Sequence, residues 1–245
     1  MALKAIVQRE LMGYFGTPLA YVFLVIFLMI TGVFTFFIGQ FFERGQADLV
    51  AFFNFHPWLY LFLLPALSMR LWAEERKTGT IEFLMTLPVS LSDAVIGKFI
   101  AAWLFAGVAL MCTFFMWVTV NYLGDPDNGV ILASYLGSWL MAGAFLAIGS
   151  CLSATTSNQV IAFILTVVVC FLFVMAGFPM IMDWASVVFP QFFVDAIASL
   201  SFLTRFESIS KGVLDVRDFF YFAIVIVAWL LATALIIEIK KGKAS

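Results

Sequence analysis

Charged side chains are scarce in this sequence, with Asp, Glu, Lys and Arg making up 11% of its 245 residues. The densest group is Glu74-Glu75-Arg76-Lys77, within RLWAEERKTGTIEFLMTLPVSLS at Arg70–Ser92. Acids and bases set among the turn-formers Gly79 and Pro88 suit ion-paired contact with another protein surface. A second pair, Arg9-Glu10, lies near the N-terminus. Other chemistries find little support. Gly97-Lys98 is followed by Phe99 and has no glycine five residues upstream, so no G-x-x-x-x-G-K-[ST] loop can cradle ATP phosphates. His56 is the single histidine, which excludes an H-E-x-x-H site and a histidine-rich metal site. Placed before Pro57-Trp58, it reads as a polar anchor near a membrane interface rather than as a ligand. Cys112, Cys151 and Cys170 fall in apolar runs, at spacings that suit neither a disulfide framework nor zinc.

The surroundings of these residues are overwhelmingly apolar. Hydrophobic residues make up 64% of the chain and 30 of its residues are Phe. A soluble domain carries about a quarter charged residues, so this surface calls for lipid. A net charge of -2 points away from nucleic acid. A helix needs roughly 20 apolar residues to cross a bilayer. Such runs occur at Pro18–Gln40, Leu49–Ser68, Phe99–Leu123, Val130–Leu152 and Val160–Met182, with a slightly shorter sixth at Phe219–Ile237. The fold class expected is therefore all-α, a polytopic membrane protein with six transmembrane helices. The first run is too long for a signal h-region and no cleavage site follows it, so it is expected to stay uncleaved. No paired carboxylates or nucleophile–base set falls inside a run, which argues against an intramembrane enzyme, and no charge at mid-depth suggests an ion relay.

An even number of spans puts both termini on one side. With them inside, the inner segments hold Lys4, Arg9, Arg70, Arg76, Lys77, Lys98, Lys240, Lys241 and Lys243, against Arg44, Arg205, Lys211 and Arg217 outside. The positive-inside rule then makes both termini cytoplasmic. Residues 1–16 carry Lys4, Gln8 and Arg9 on one side and Leu3, Ile6, Val7 and Leu11 on the other, an interfacial helix. Glu10 falls on its apolar side and needs a partner, either a cytoplasmic protein or an intrachain arginine; a frayed, solvated end is the alternative.

Two connections carry more information. In segment 70–92, Leu71–Lys77 extends the second span and Gly79 ends it as a left-handed cap. Thr80 then caps a short transverse helix, with Glu82 in its first turn, and Pro88 ends it. Ser90 and Asp93 start the third span as a capping box. The segment is either a docking helix or a solvated loop with an amphipathic piece. In segment 183–218 the apolar residues, Phe192, Phe193 and Phe206 among them, suit short helices dipping back into the outer leaflet. Gly212 ends that part, and Asp215 with Asp218 caps the last span. Gly137, Gly143, Ala147 and Ser150 suit close helix packing.

These residues together resemble a known family. AEERKTGTIEFLMTLPVSLSDAVIGK, the pair Arg9-Glu10, HPWLYLFLLPALSMR, LGSWLMAGAFLAIGSCLSATTSNQVIAFI and FLTRFESISKGVLDVRDFFYF occur in order and at the spacings of ABC-2 type permeases, the type V exporters. Within that family the chain is most similar to the gliding-motility and nitrous-oxide-reductase-maturation branch. The resemblance implies one transmembrane permease domain over 1–245, with a connecting helix, a coupling helix between the second and third spans, and a re-entrant pair before the last. It implies a multi-pass protein of the bacterial inner membrane that dimerises with a second copy or a related subunit. Two cytoplasmic ATPase subunits would bind ATP and magnesium, the chain itself holding no cofactor. The coupling role would fall on Glu74, Glu75, Arg76, Gly79, Thr80 and Glu82. Two functions follow as expectations: export of an amphipathic or polymeric substrate, or transmission of ATPase motion to an extracytoplasmic protein without transport.

Overall fold

The computed structural model describes residues 2–80, 90–213 and 215–241, and every regular element among them is helical. The expected transverse helix, with Ile81, Glu82 and Pro88, lies outside the described residues.

The chain opens with α1 (Ala2–Phe15), turns at Gly16-Thr17, and enters α2 (Pro18–Val33), whose proline is tolerated because it stands in the first turn. A π-helical turn, Phe34–Ile38, follows. There the Thr31 and Thr35 hydroxyls bond back to the carbonyls of Phe27 and Thr31, and Gly39 N–H reaches Phe34 at 2.7 Å. The second apolar run is one stretch in the sequence but two helices in the structure, α3 (Val50–Asn54) and α4 (His56–Ser68). The break falls at Phe55, just before Pro57 deprives the next turn of a donor. It turns His56 inward, so that histidine is fully buried instead of sitting as a surface anchor. Its Nδ1 lies 2.8 Å from Ser138 Oγ, which also meets the Tyr60 hydroxyl at 2.6 Å.

α5 (Arg70–Thr78) continues α4 through Met69 and stops at Gly79, whose φ of 72° makes it the left-handed cap expected. α6 (Leu91–Met111) begins with Ser90 Oγ accepting from Asp93 N–H at 3.1 Å, as the capping box requires. The run then breaks at Cys112-Thr113 before α7 (Phe114–Leu123), where the Thr113 hydroxyl bonds back to Leu110. α8 (Asn128–Thr155) and α9 (Gln159–Met175) are capped by the side chains of Asp127 and Asn158. The segment expected outside folds as α10 (Pro179–Val188), α11 (Gln191–Ser199) and α12 (Phe202–Ser210), and α13 (Val216–Lys241) follows.

Among the described residues, four stretches are long and apolar enough to cross a membrane: Ala20–Ile38, Leu91–Leu123, Asn128–Thr155 and Val216–Lys241. Gln159–Met175 is apolar but shorter. At the centre stands α8, which packs against α4, α5, α6, α9, α12 and α13. Its glycines permit this. A Cβ on Gly137 would lie 2.7 Å from Ile209, and one on Gly143 would lie 2.9 Å from both Trp103 and Ile226. Close backbone approach through small residues is how helices associate where lipid supplies no hydrophobic drive between them. Trp103 and Trp139 show the result: their indoles stack at 4.3 Å, and each donates its ring N–H to the other's carbonyl.

Candidate functional site

Arg9, Glu10, Arg70, Glu74, Glu75 and Lys98 converge at one end of the bundle, where Lys98 of α6 reaches both α1 and α5. α1 lies on α6, with Gly97 giving it room: a Cβ there would sit 2.7 Å from Ile6 Cγ2. One residue later Lys98 projects from α6, only 4% exposed. Its ammonium is 2.8 Å from Glu75 Oε1 and 3.3 Å from Glu10 Oε1, and it stands 5.4 Å over the Trp72 ring. Arg9 adds a second cation to Glu10 at 2.7 Å. An intrachain partner for Glu10 is thus found, and it comprises both Arg9 and Lys98. Glu75 keeps its second carboxylate oxygen, Oε2, buried and without a partner among the described residues.

α5 is held from its other side. Ser153 Oγ accepts from the Trp72 and Ala73 N–H groups at 3.1 and 3.0 Å and donates to Met69 O at 2.8 Å, while the Trp72 indole donates to Ser150 Oγ at 3.1 Å. Arg76 donates to Ala154 O at 3.0 Å, and Lys240 from α13 donates to Thr155 O and Ala154 O. These two cations sit at the negative end of α8, which has no basic residue in its own last turn. Glu74 turns outward and takes a two-pronged contact from Arg70, Nε to Oε2 at 2.8 Å and Nη2 to Oε1 at 3.1 Å. That bond and the guanidinium charge hold the Glu74 carboxyl below the ordinary range and raise Arg70, burial opposing both. Thr80 Oγ1 lies 2.9 Å from Thr78 Oγ1 and donates back to Glu75 O at 3.4 Å. Of the expected coupling residues, Glu82 alone lies outside the described residues. Between α1 and the α4–α5 helices remains a cavity of about 420 Å³, lined by Arg9, Glu10, Tyr14, Arg70, Glu75 and Lys98 among others.

At the opposite end the expected outer residues separate. Phe206 is buried with Phe202 and Ile209 against α8, whereas Phe192 and Phe193 stack edge-on to each other on the protein's surface, 77% and 54% exposed. Gly212, φ 81°, closes α12 with its N–H on Ile209 O and Val213 N–H on Ser208 O. Asp215 accepts from Arg217 N–H at 2.9 Å. Asp218 does not cap the last helix with its side chain; it is buried and pairs with Arg205 at 3.0 Å. Neither Arg205 nor Lys98 stood out in the sequence as a site residue.

Several membrane-length helices, with every regular element among the described residues helical, fit a membrane transport subunit. A family model described as the ABC-2 family transporter protein matches residues 22–239. The chain belongs to that family. It is a transmembrane permease component of an ABC transporter. No curated protein matches it. In this ABC-2 permease the matched range takes in Glu74, Glu75, Lys98, Arg205 and Asp218, while Arg9 and Glu10 precede it.

Proposed function

We propose that this permease couples ATP hydrolysis by a separate cytoplasmic ATPase subunit to export of an amphipathic or polymeric substrate, as a homodimer or with a related membrane subunit. In this reading α3–α4 and α9 complete a set of six spans, both termini are cytoplasmic, and α10–α12 re-enter the outer leaflet. The membrane would be the bacterial inner membrane. The observation that carries the reading is the convergence of α1, α5 and α6 on Lys98 at the end rich in basic residues. There α5 is bonded to the central helix α8 and stops abruptly at Gly79, so a load applied beyond Gly79 has a stiff path inward. ATP and magnesium belong to the partner subunit.

Glu75→Ala removes a charged bond, and Gly79→Val forces a β-branched residue into the left-handed region, at a cost of about 1–2 kcal/mol. Among the described residues nothing lies within 4 Å of a Cβ at Gly79. Both variants should insert in the membrane yet lower ATPase binding or its stimulation, measured by co-purification and ATP turnover at matched expression. Normal values for both would remove segment 70–92 from the coupling path. Orientation has its own check: a cysteine at Ser208 should react with an impermeant reagent from outside, and one at Thr78 should not.

A second reading, force transmission to an extracytoplasmic protein, is favoured by the apolar surface of α10 and α11, where Trp184, Phe192 and Phe193 are exposed. ATPase stimulation by a bound outer protein, with none by candidate substrates, would select it.

A further inference from the structure

α1 and α5 pack on different helices. α1 lies on α6, whereas α5 lies on α4, α8 and α9. The space between α1 and the α4–α5 helices is the cavity of about 420 Å³. Lys98 spans its edge, with one carboxylate from each side on a single ammonium. A lysine suits this task because its three N–H donors radiate from a compact charge and can serve acceptors on different helices. The bridge is anchored at every foot. Ile6 against Gly97 fixes α1 on α6 one residue from the lysine. The Trp72 ring under the ammonium is tied to Ser150 of α8. Lys98 is the most deeply buried of the three charges and loses most by separation, whereas Glu10 keeps Arg9.

We infer that Lys98 is the positioning residue of this end, a strut that sets the gap between α1 and α5 so that the two move together. The inference rests on the proposed coupling role of this end for its purpose, though not for its geometry. With the strut in place, displacement of α5 by a cytoplasmic subunit carries α1 along; without it, the cavity absorbs the displacement.

The test uses the full-length permease in lipid nanodiscs, with spin labels on cysteines at the exposed positions Met12 of α1 and Lys77 of α5. Pulsed electron spin resonance should give one narrow distance distribution for the otherwise unaltered protein. Glu10→Gln and Lys98→Met should each widen it at least twofold, and Lys98→Arg should restore the narrow width. Wild-type width in both Glu10→Gln and Lys98→Met overturns the inference. Should Lys98→Met fail to fold, Glu10→Gln decides alone: a widened distribution supports the strut and an unchanged one overturns it. In the complex with the ATPase subunit, Glu10→Gln should lower stimulated turnover several-fold while the amount of co-purified ATPase stays constant. If the unaltered permease recruits no ATPase, the proposed function fails, and the width measurement still judges the strut.

Discussion

The two ends of this permease each hold a basic residue against acid, with the burial reversed. At the Lys98 end the cation is hidden: Lys98 has 5% of its side chain exposed, and Glu10 and Glu75 have 19% and 18%. At the Asp218 end the anion is hidden: Asp218 has 3% exposed and Arg205 has 31%. Lys98 has two carboxylates and an aromatic face, so losing one contact leaves others. Asp218 has one described ion-pair partner, and the rest of that end is held by shape, with Phe202, Phe206 and Ile209 filling the space against α8. Redundant charge suits an end that must bear load in more than one position. A single pair on a shape-fitted helix suits an end that keeps one position.

The sharpest way to break this comparison is Arg205→Leu, which leaves Asp218 buried and uncompensated. Removing one partner of a buried pair costs about 3–5 kcal/mol, so the midpoint of thermal unfolding in detergent should fall steeply. Asp218→Asn leaves only a cation that reaches water and should fall less. If the two variants unfold together, the asymmetry at this end is not energetic. Next in size is Gly137→Val, which puts new atoms where Ile209 already stands. Overpacking of this kind costs roughly 1–3 kcal/mol. The companion change Ile209→Ala should recover part of it by making room, and no recovery in the double variant would mean that α12 is not seated on Gly137 by shape. The smallest effect belongs to the outward-facing pair Arg70–Glu74. Glu74→Gln should cost about 0–1 kcal/mol at neutral pH. Because Glu74 is held below its ordinary value, its contribution is complete above the ordinary carboxylate range and is lost as pH falls through the lowered value. The gap between Glu74→Gln and the unaltered protein, read as unfolding midpoints, should therefore narrow as pH falls below the ordinary carboxylate range. A gap that stays constant would assign the effect to packing.

Local rules account for what the sequence made legible. Gly79 and Gly212 end helices because only glycine adopts their positive φ without strain, and Ser90 starts one because its hydroxyl meets the Asp93 N–H. Gly137 and Gly143 announced close packing by size. The helix breaks at Phe55 and at Cys112-Thr113 were hidden, since apolar runs read as continuous wherever hydropathy is the signal. Lys98 was hidden for another reason. It looked like one more basic residue at the inner edge, and its partner Glu10 lies 88 residues away. The signal available was complementary: an acid on the apolar side of α1, and a lysine beside a glycine near the start of an apolar helix. Arg205 and Asp218 likewise read as loop and cap residues until the fold buried one of them.

The carbonyls that close α8 have a consequence for the making of the protein. Arg76, which holds Ala154 O, is translated before α8 begins, whereas Lys240, which holds Ala154 O and Thr155 O, is translated 85 residues after Thr155. The central helix is thus bonded at its end first by an early residue and later by a late one. Its final turn is completed only when α13 has arrived, so a nascent chain arrested before Lys240 carries a bundle with its hub still unsealed.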